Sequence, residues 1–213
     1  MNILLLKKDV KKLQKELTDY DLQREHMLRI AREATRLSDI AIIHMHRQEL
    51  KKASLLIKKA EKLLIKINVS LQMQPHFKEH NSILVALQEL IEAKAFYKLL
   101  TEDSILSYKE SGVSRAAYLL GLLDLIGELR RWTLDKLRQG DITKADKIFK
   151  SMESIYEDLS SLDHTALIPT FRHKMDTARH IIEATRGEVV SETRRISLEE
   201  ALKSFERKAQ WKP

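Results

Sequence analysis

The chain has 213 residues and no cysteine, which excludes disulfides and thiolate metal sites and makes a reducing cytoplasm the expected compartment. Only 5 Gly and 3 Pro leave too few turn residues for a many-stranded sheet, while Leu, Ile, Ala, Lys, Glu and Arg favour helix almost throughout. A formal net charge of +7 suits an anionic partner such as RNA, DNA or a nucleotide, and no segment approaches the ~18 consecutive apolar residues of a membrane span.

The opening MNILLLKK is apolar for a few residues and then turns basic, the reverse of a signal peptide. Leu6, Val10, Leu13 and Leu17 share one face of a predicted short amphipathic helix over 3–17, with Lys7, Lys8, Lys11, Lys12 and Lys15 around them. A second helix is expected over about 21–47, its apolar stripe Met27, Ile30, Ala34, Leu37 and Ala41, with Arg29, Arg32 and Arg36 opposite. A third covers about 49–70. Pro75 suits a helix start and points to a long helix over about 76–102.

The stretch SGVSRAAYLLG opens a helix over about 113–139 that stops at Gly140, and Asp141 can cap the next, about 142–161. Pro169 opens another, about 169–186, closed by Gly187. Ser197 with Glu200 spells a capping box for a final short helix over 198–208. With no strand-period segment, linker or repeat, the expectation is one all-α domain over 1–213, a bundle of about seven helices, with an N-terminal helix (1–18) and a C-terminal helix and tail (191–213).

Two segments, Ile83–Phe96 and Ala116–Leu129, are apolar nearly all round, as central helices are. Gly121 and Gly127 would allow close helix approach. Yet YLLGLLDLIGELRRW carries Asp124 and Glu128, and ALQELIEAKAF carries Glu89 and Glu92. Each pair shares a helix face by its spacing. A buried ionised carboxylate is normally paired, metal-bound or protonated. If the two helices are neighbours, four carboxylates converge, and a divalent Mg²⁺ or Mn²⁺ would compensate them. Solvated pairing with Lys94, Arg130 or Arg131 is the competing reading, and both stay open from the residues alone.

Other chemistries lack their spelling. No histidine lies three residues after a glutamate, as a di-iron bundle requires. There is no His-Glu-x-x-His, Gly-rich phosphate loop or nucleophile elbow. Arg29, Arg32 and Arg36 suit phosphates, or equally a solvated face balanced by Glu25 and Asp39.

YLLGLLDLIGELRRW followed by GDITKADKIF resembles the translin superfamily, especially its translin-associated factor X branch. So do ALQELIEAKAF and the spacing in REATRLSDIAIIHMHR. The similarity runs from about residue 20 to 190. Translin itself has non-acidic residues where this chain has Glu89, Glu92 and Asp124, whereas factor X carries catalytic, metal-binding carboxylates there. Glu128 and Arg131 match residues of both branches. The resemblance therefore implies a translin-like bundle acting as a Mg²⁺- or Mn²⁺-dependent endoribonuclease on single-stranded or nicked RNA. Glu89, Glu92 and Asp124 would hold the ion, with Glu128 a fourth ligand or a base. It implies a homo-oligomeric shell, an octamer, like archaeal homologues that form one without a separate translin.

Arg32 and Arg47 fall where factor X also has arginine, which with Arg29, Arg36 and Arg131 makes them RNA-binding candidates; single-stranded DNA is a further possible ligand. Two alternatives remain: a non-catalytic RNA- or DNA-binding shell, and an all-α nucleoside triphosphate pyrophosphohydrolase. For the latter, Asp124-x-x-x-Glu128 has the wrong order and spacing.

Overall fold

A single 40-residue helix, α1 (Lys7–His46), runs where two helices are expected. The segment between them, LTDYDLQ, holds no Gly or Pro, so nothing forces the backbone out of helical geometry. Thr18 instead donates its hydroxyl to the Gln14 carbonyl at 2.8 Å, a bond compatible with an unbroken helix. The computed structural model describes residues 7–73 and 81–210, with side chains over 7–67 and 81–207. Leu6 and Pro75 lie outside the described residues.

Seven α-helices follow one another among the described residues, with no strand: α1, α2 (Leu50–Met73), α3 (Asn81–Glu102), α4 (Tyr108–Ser111), α5 (Arg115–Arg138), α6 (Ile142–Ser160) and α7 (Phe171–Gln210). The chain divides into two compact units, Met1–Tyr97 and Lys98–Pro213.

In the first unit, α1 and α2 form a helical hairpin. Gln48 turns the chain at φ 62°, and Glu49 N–H bonds to the His44 carbonyl at 2.9 Å. The facing stripes are Met27, Ala31, Ala34, Ala41 and Met45 on α1 and Ala53, Ile57, Ala60, Leu64 and Ile67 on α2, all buried. The alternation of alanine with long side chains lets the helices interdigitate closely. α3 is held to both. The Phe96 and His46 rings lie 5.1 Å apart, and the Lys94 ammonium donates to Glu61 at 2.7 Å. Ile83, Ala86, Leu90, Ile91, Ala93 and Phe96 are buried, as expected of a helix apolar nearly all round.

In the second unit, α5 packs against α6 and α7. Leu120, Leu125, Ile126, Leu129 and Met152 are fully enclosed, and the buried Thr133 hydroxyl is satisfied by the Leu129 carbonyl at 2.9 Å. Arg130 ties α5 to α7 through Thr185 Oγ1 (2.7 Å) and Glu188 (2.9 Å). Asp141 caps α6 by accepting from Lys144 N–H, as its spacing indicates.

One boundary is refined and two expectations are corrected. The helix foreseen over 113–139 begins at Arg115. Gly112, at φ +68°, closes the separate turn α4, and Ser114 caps α5. α7 does not stop at Gly187 or restart at Ser197; it runs unbroken to Gln210. Glycine ends a helix where it takes the left-handed conformation, which Gly112 and Gly140 do and Gly187 does not. Gly127 marks no close helix approach, since a Cβ there would meet nothing within 4 Å among the described residues.

No helix of the described residues is long and apolar enough to cross a membrane.

Candidate functional site

The first unit gathers acidic groups on α1 and α3. Glu89 and Glu92 sit one turn apart on α3, Glu89 half-buried and Glu92 only 7% exposed. From α1, the Asp39 side chain hydrogen-bonds with Glu89. Asp39 keeps part of its surface in solvent, yet desolvation raises its pKa above the ordinary carboxylate value, with the Glu89 bond acting the other way. Two carboxyl groups can hydrogen-bond only through a proton between them, so the pair either carries a proton or admits a cation in its place. Sequence reading missed this residue. It set Asp39 against Arg36, but Arg36 turns to Glu33 instead. The missed signal was an aspartate one residue after the buried Ser38, on the edge of the α1 stripe.

The second unit answers for Asp124 differently. Lys174 of α7 donates to both Asp124 carboxylate oxygens at 2.5 Å. Asp124 is 27% and Lys174 26% exposed, so the pair is largely enclosed. Burial raises the Asp124 pKa, while the Lys174 hydrogen bond and charge act to lower it. Glu128 pairs with Arg131 on its own helix at 4.0 Å.

The arginines of α1 are exposed and locally engaged. Arg36 makes two bonds to Glu33, at 2.9 and 2.7 Å. Arg32 lies 3.7 Å from Glu25 and donates to the Leu28 carbonyl, and Arg29 contacts His26 at 3.2 Å. Glu25 thus serves Arg32 and Arg24 rather than Arg29. Arg47, just past the end of α1, is exposed. Arg36 also lines an α1–α2 groove with Lys59 and Lys62, two cations the sequence reading did not weigh. Exposed intrahelical pairs of this kind contribute little to stability and exchange readily for a phosphate.

Within either unit taken by itself, no three His, Asp or Glu side chains among the described residues form a ready metal cage. Mg²⁺ does not require one: it keeps several waters and is commonly held by one or two carboxylates. The hard oxygen donors of the Asp39–Glu89 pair, one helical turn from buried Glu92, fit Mg²⁺ or Mn²⁺ in that mode.

The family model described as "Translin family" matches residues 7–184. An uncharacterized protein of Methanocaldococcus jannaschii is 33% identical over 193 residues, spanning 88% of this chain and 84% of that protein. The crystal structure of AfC3PO superposes with a TM-score of 0.76 at 30% identity, covering 87% of this chain and 97% of that one. The structure of an AfC3PO–duplex RNA complex gives a TM-score of 0.77 at 30% identity over 87% and 96%. Apo-NeC3PO gives 0.77 at 26% identity over 90% and 100%. On the family match and these relatives, the chain belongs to the translin family.

Proposed function

We propose that the protein is an RNA-binding translin-family shell subunit of the factor X type, and a Mg²⁺- or Mn²⁺-dependent endoribonuclease. The observation that carries this reading is that each unit of a translin-family chain holds acidic groups in or beside its core: Glu89 and buried Glu92 with Asp39 against Glu89 in the first, and the largely enclosed Asp124 in the second. RNA is the favoured ligand because a structurally similar protein, AfC3PO, is seen with duplex RNA.

When bound, a divalent ion activates water and neutralises charge at the phosphodiester under attack. The side chains do the rest. In the first unit Asp39, Glu89 and Glu92 would supply ligand oxygens; in the second, Asp124 would supply them and Glu128 would accept a proton. Arg29, Arg32, Arg36, Arg47 and Arg131 neutralise backbone phosphates, which makes binding salt-dependent and only weakly sequence-specific.

Exposed apolar stripes support a homo-oligomer, with the octamer as the proposed state. Val10, Leu13 and Leu17 on α1 are 48%, 51% and 64% exposed, and Leu198, Leu202 and Phe205 on α7 are 61%, 53% and 71% exposed. Light scattering should give a multiple of the 24.8 kDa chain, reduced for Leu13→Glu/Leu17→Glu.

A second reading, RNA binding without cleavage, is favoured by one observation: Asp124 is already neutralised by Lys174. Labelled single-stranded and nicked RNA, with and without Mg²⁺ or Mn²⁺, separates the two. Metal-dependent cleavage that is lost in a Glu92→Gln/Asp124→Asn variant supports the nuclease. Tight binding with no cleavage by the wild type supports the second reading.

A further inference from the structure

α7 presents a buried stripe to the second unit: Phe171, Ala178 and Ile182 are 3%, 2% and 4% exposed. Lys174 falls on that same stripe, three residues after Phe171 and four before Ala178, and it is the charged member of an otherwise apolar face. α5 has the matching irregularity. Asp124 sits between Leu123 and Leu125, which are 5% and 0% exposed. The two departures from apolar patterning meet each other, with the ammonium 2.5 Å from both carboxylate oxygens. An ammonium that spans both oxygens occupies the ground a divalent ion would take, since such an ion binds carboxylate oxygen at about 2.0–2.1 Å. A divalent ion approaching those oxygens must compete with the ammonium for their lone pairs and against its positive charge.

We propose that Lys174 is the resident counter-cation of Asp124, so that a divalent ion reaches this carboxylate only by displacing the lysine. This rests on the metal-dependent reading above. The lysine keeps a desolvated aspartate from standing alone when no metal is present, and it sets metal affinity lower than the carboxylate by itself would give. The stem of a lysine, four methylenes long, lets the ammonium swing toward solvent while the apolar part keeps its packing against the stripe. Lys174 is thus a positioning residue that tunes occupancy.

The test is Mn²⁺ binding to the 213-residue chain, followed by calorimetry and by the electron paramagnetic resonance signal of free Mn²⁺. Wild type, Lys174→Met, Lys174→Arg and Lys174→Met/Asp124→Asn are compared. Lys174→Met should tighten binding by about tenfold or more and enlarge the rise in melting temperature that Mn²⁺ produces. Lys174→Arg, which keeps the charge, should bind no tighter than wild type, and the double variant should lose the gain. Lys174→Gln carries the same expectation as Lys174→Met should the methionine variant not fold. Equal or weaker Mn²⁺ affinity in the neutral variants, with metal-dependent RNA cleavage by the wild type intact, overturns the counter-cation role and leaves the nuclease reading standing. Absence of Mn²⁺ binding in every protein overturns both.

Discussion

Asp39 on α1 and Glu89 on α3 bring their carboxyl groups within hydrogen-bonding reach of each other. They come from positions fifty residues apart, and their meeting turns an aspartate that reads as a surface partner of Arg36 into part of an acidic cluster. Asp39→Asn preserves a hydrogen bond to Glu89 while removing one ligand oxygen and the charge. Metal affinity should fall by about 10-fold or more, at least the loss seen when a group supporting a metal ligand is removed. Metal-dependent RNA cleavage should fall in step, with RNA affinity and helical content unchanged. Full metal affinity in this variant, measured by Mn²⁺ titration, excludes Asp39 from the site.

Arg32 and Arg36 are exposed on α1 and, among the described residues, their hydrogen bonds and ion pairs are to neighbours on their own helix. If they meet the RNA backbone, each replacement by Ala should flatten the slope of log affinity against log salt by about 0.7–0.9, the value of one phosphate contact. The loss should be similar for unrelated RNA sequences. An unchanged slope would remove them from the interface.

Gly187 lies inside α7 with an ordinary helical φ, and a Cβ there would meet nothing within 4 Å among the described residues. Gly187→Ala should therefore stabilise the protein by about 0.5–1 kcal/mol, because alanine restricts the unfolded chain and favours helix. Urea unfolding measures it directly. A destabilised variant would mean that α7 breaks at this residue, as the sequence alone suggests.

Glu110 completes a capping box with Ser107 and also accepts from Lys98 at 2.9 Å. The Lys98 bond first, and then the Ser107 backbone and hydroxyl bonds, pull its pKa down from 4.5 to about 2. A carboxyl with a depressed folded-state pKa contributes stability that is present above its unfolded pKa and lost as pH falls through the folded one. Wild type should therefore lose stability between about pH 4.5 and pH 2, and Glu110→Gln should lose less over that window. Thermal melts across the window read the difference. Identical pH profiles would mean that Glu110 titrates alike folded and unfolded.

Helix content, the capping of α6 by Asp141, and the enclosed character of α3 and α5 were all legible in the residues. Each depends on interactions within about four positions, so local spacing suffices. The family was legible for a related reason: three apolar-acidic segments in the right order are a pattern along the chain. Helix ends at Gly187 and Ser197 were misread because a glycine or a capping pair permits a break without requiring one. Packing along α7 decides whether the chain takes it. The partners of the acidic residues were beyond local reading altogether. Asp124 and Lys174 are separated by 50 positions, and only the packing of α7 on α5 brings them together. Sequence determined that Glu89, Glu92 and Asp124 sit in apolar surroundings and must be compensated, because desolvating a charge is costly wherever it occurs. Tertiary structure alone decided their neighbours: Asp39 beside Glu89, which leaves that pair to a proton or a cation, and Lys174 as the counter-charge of Asp124.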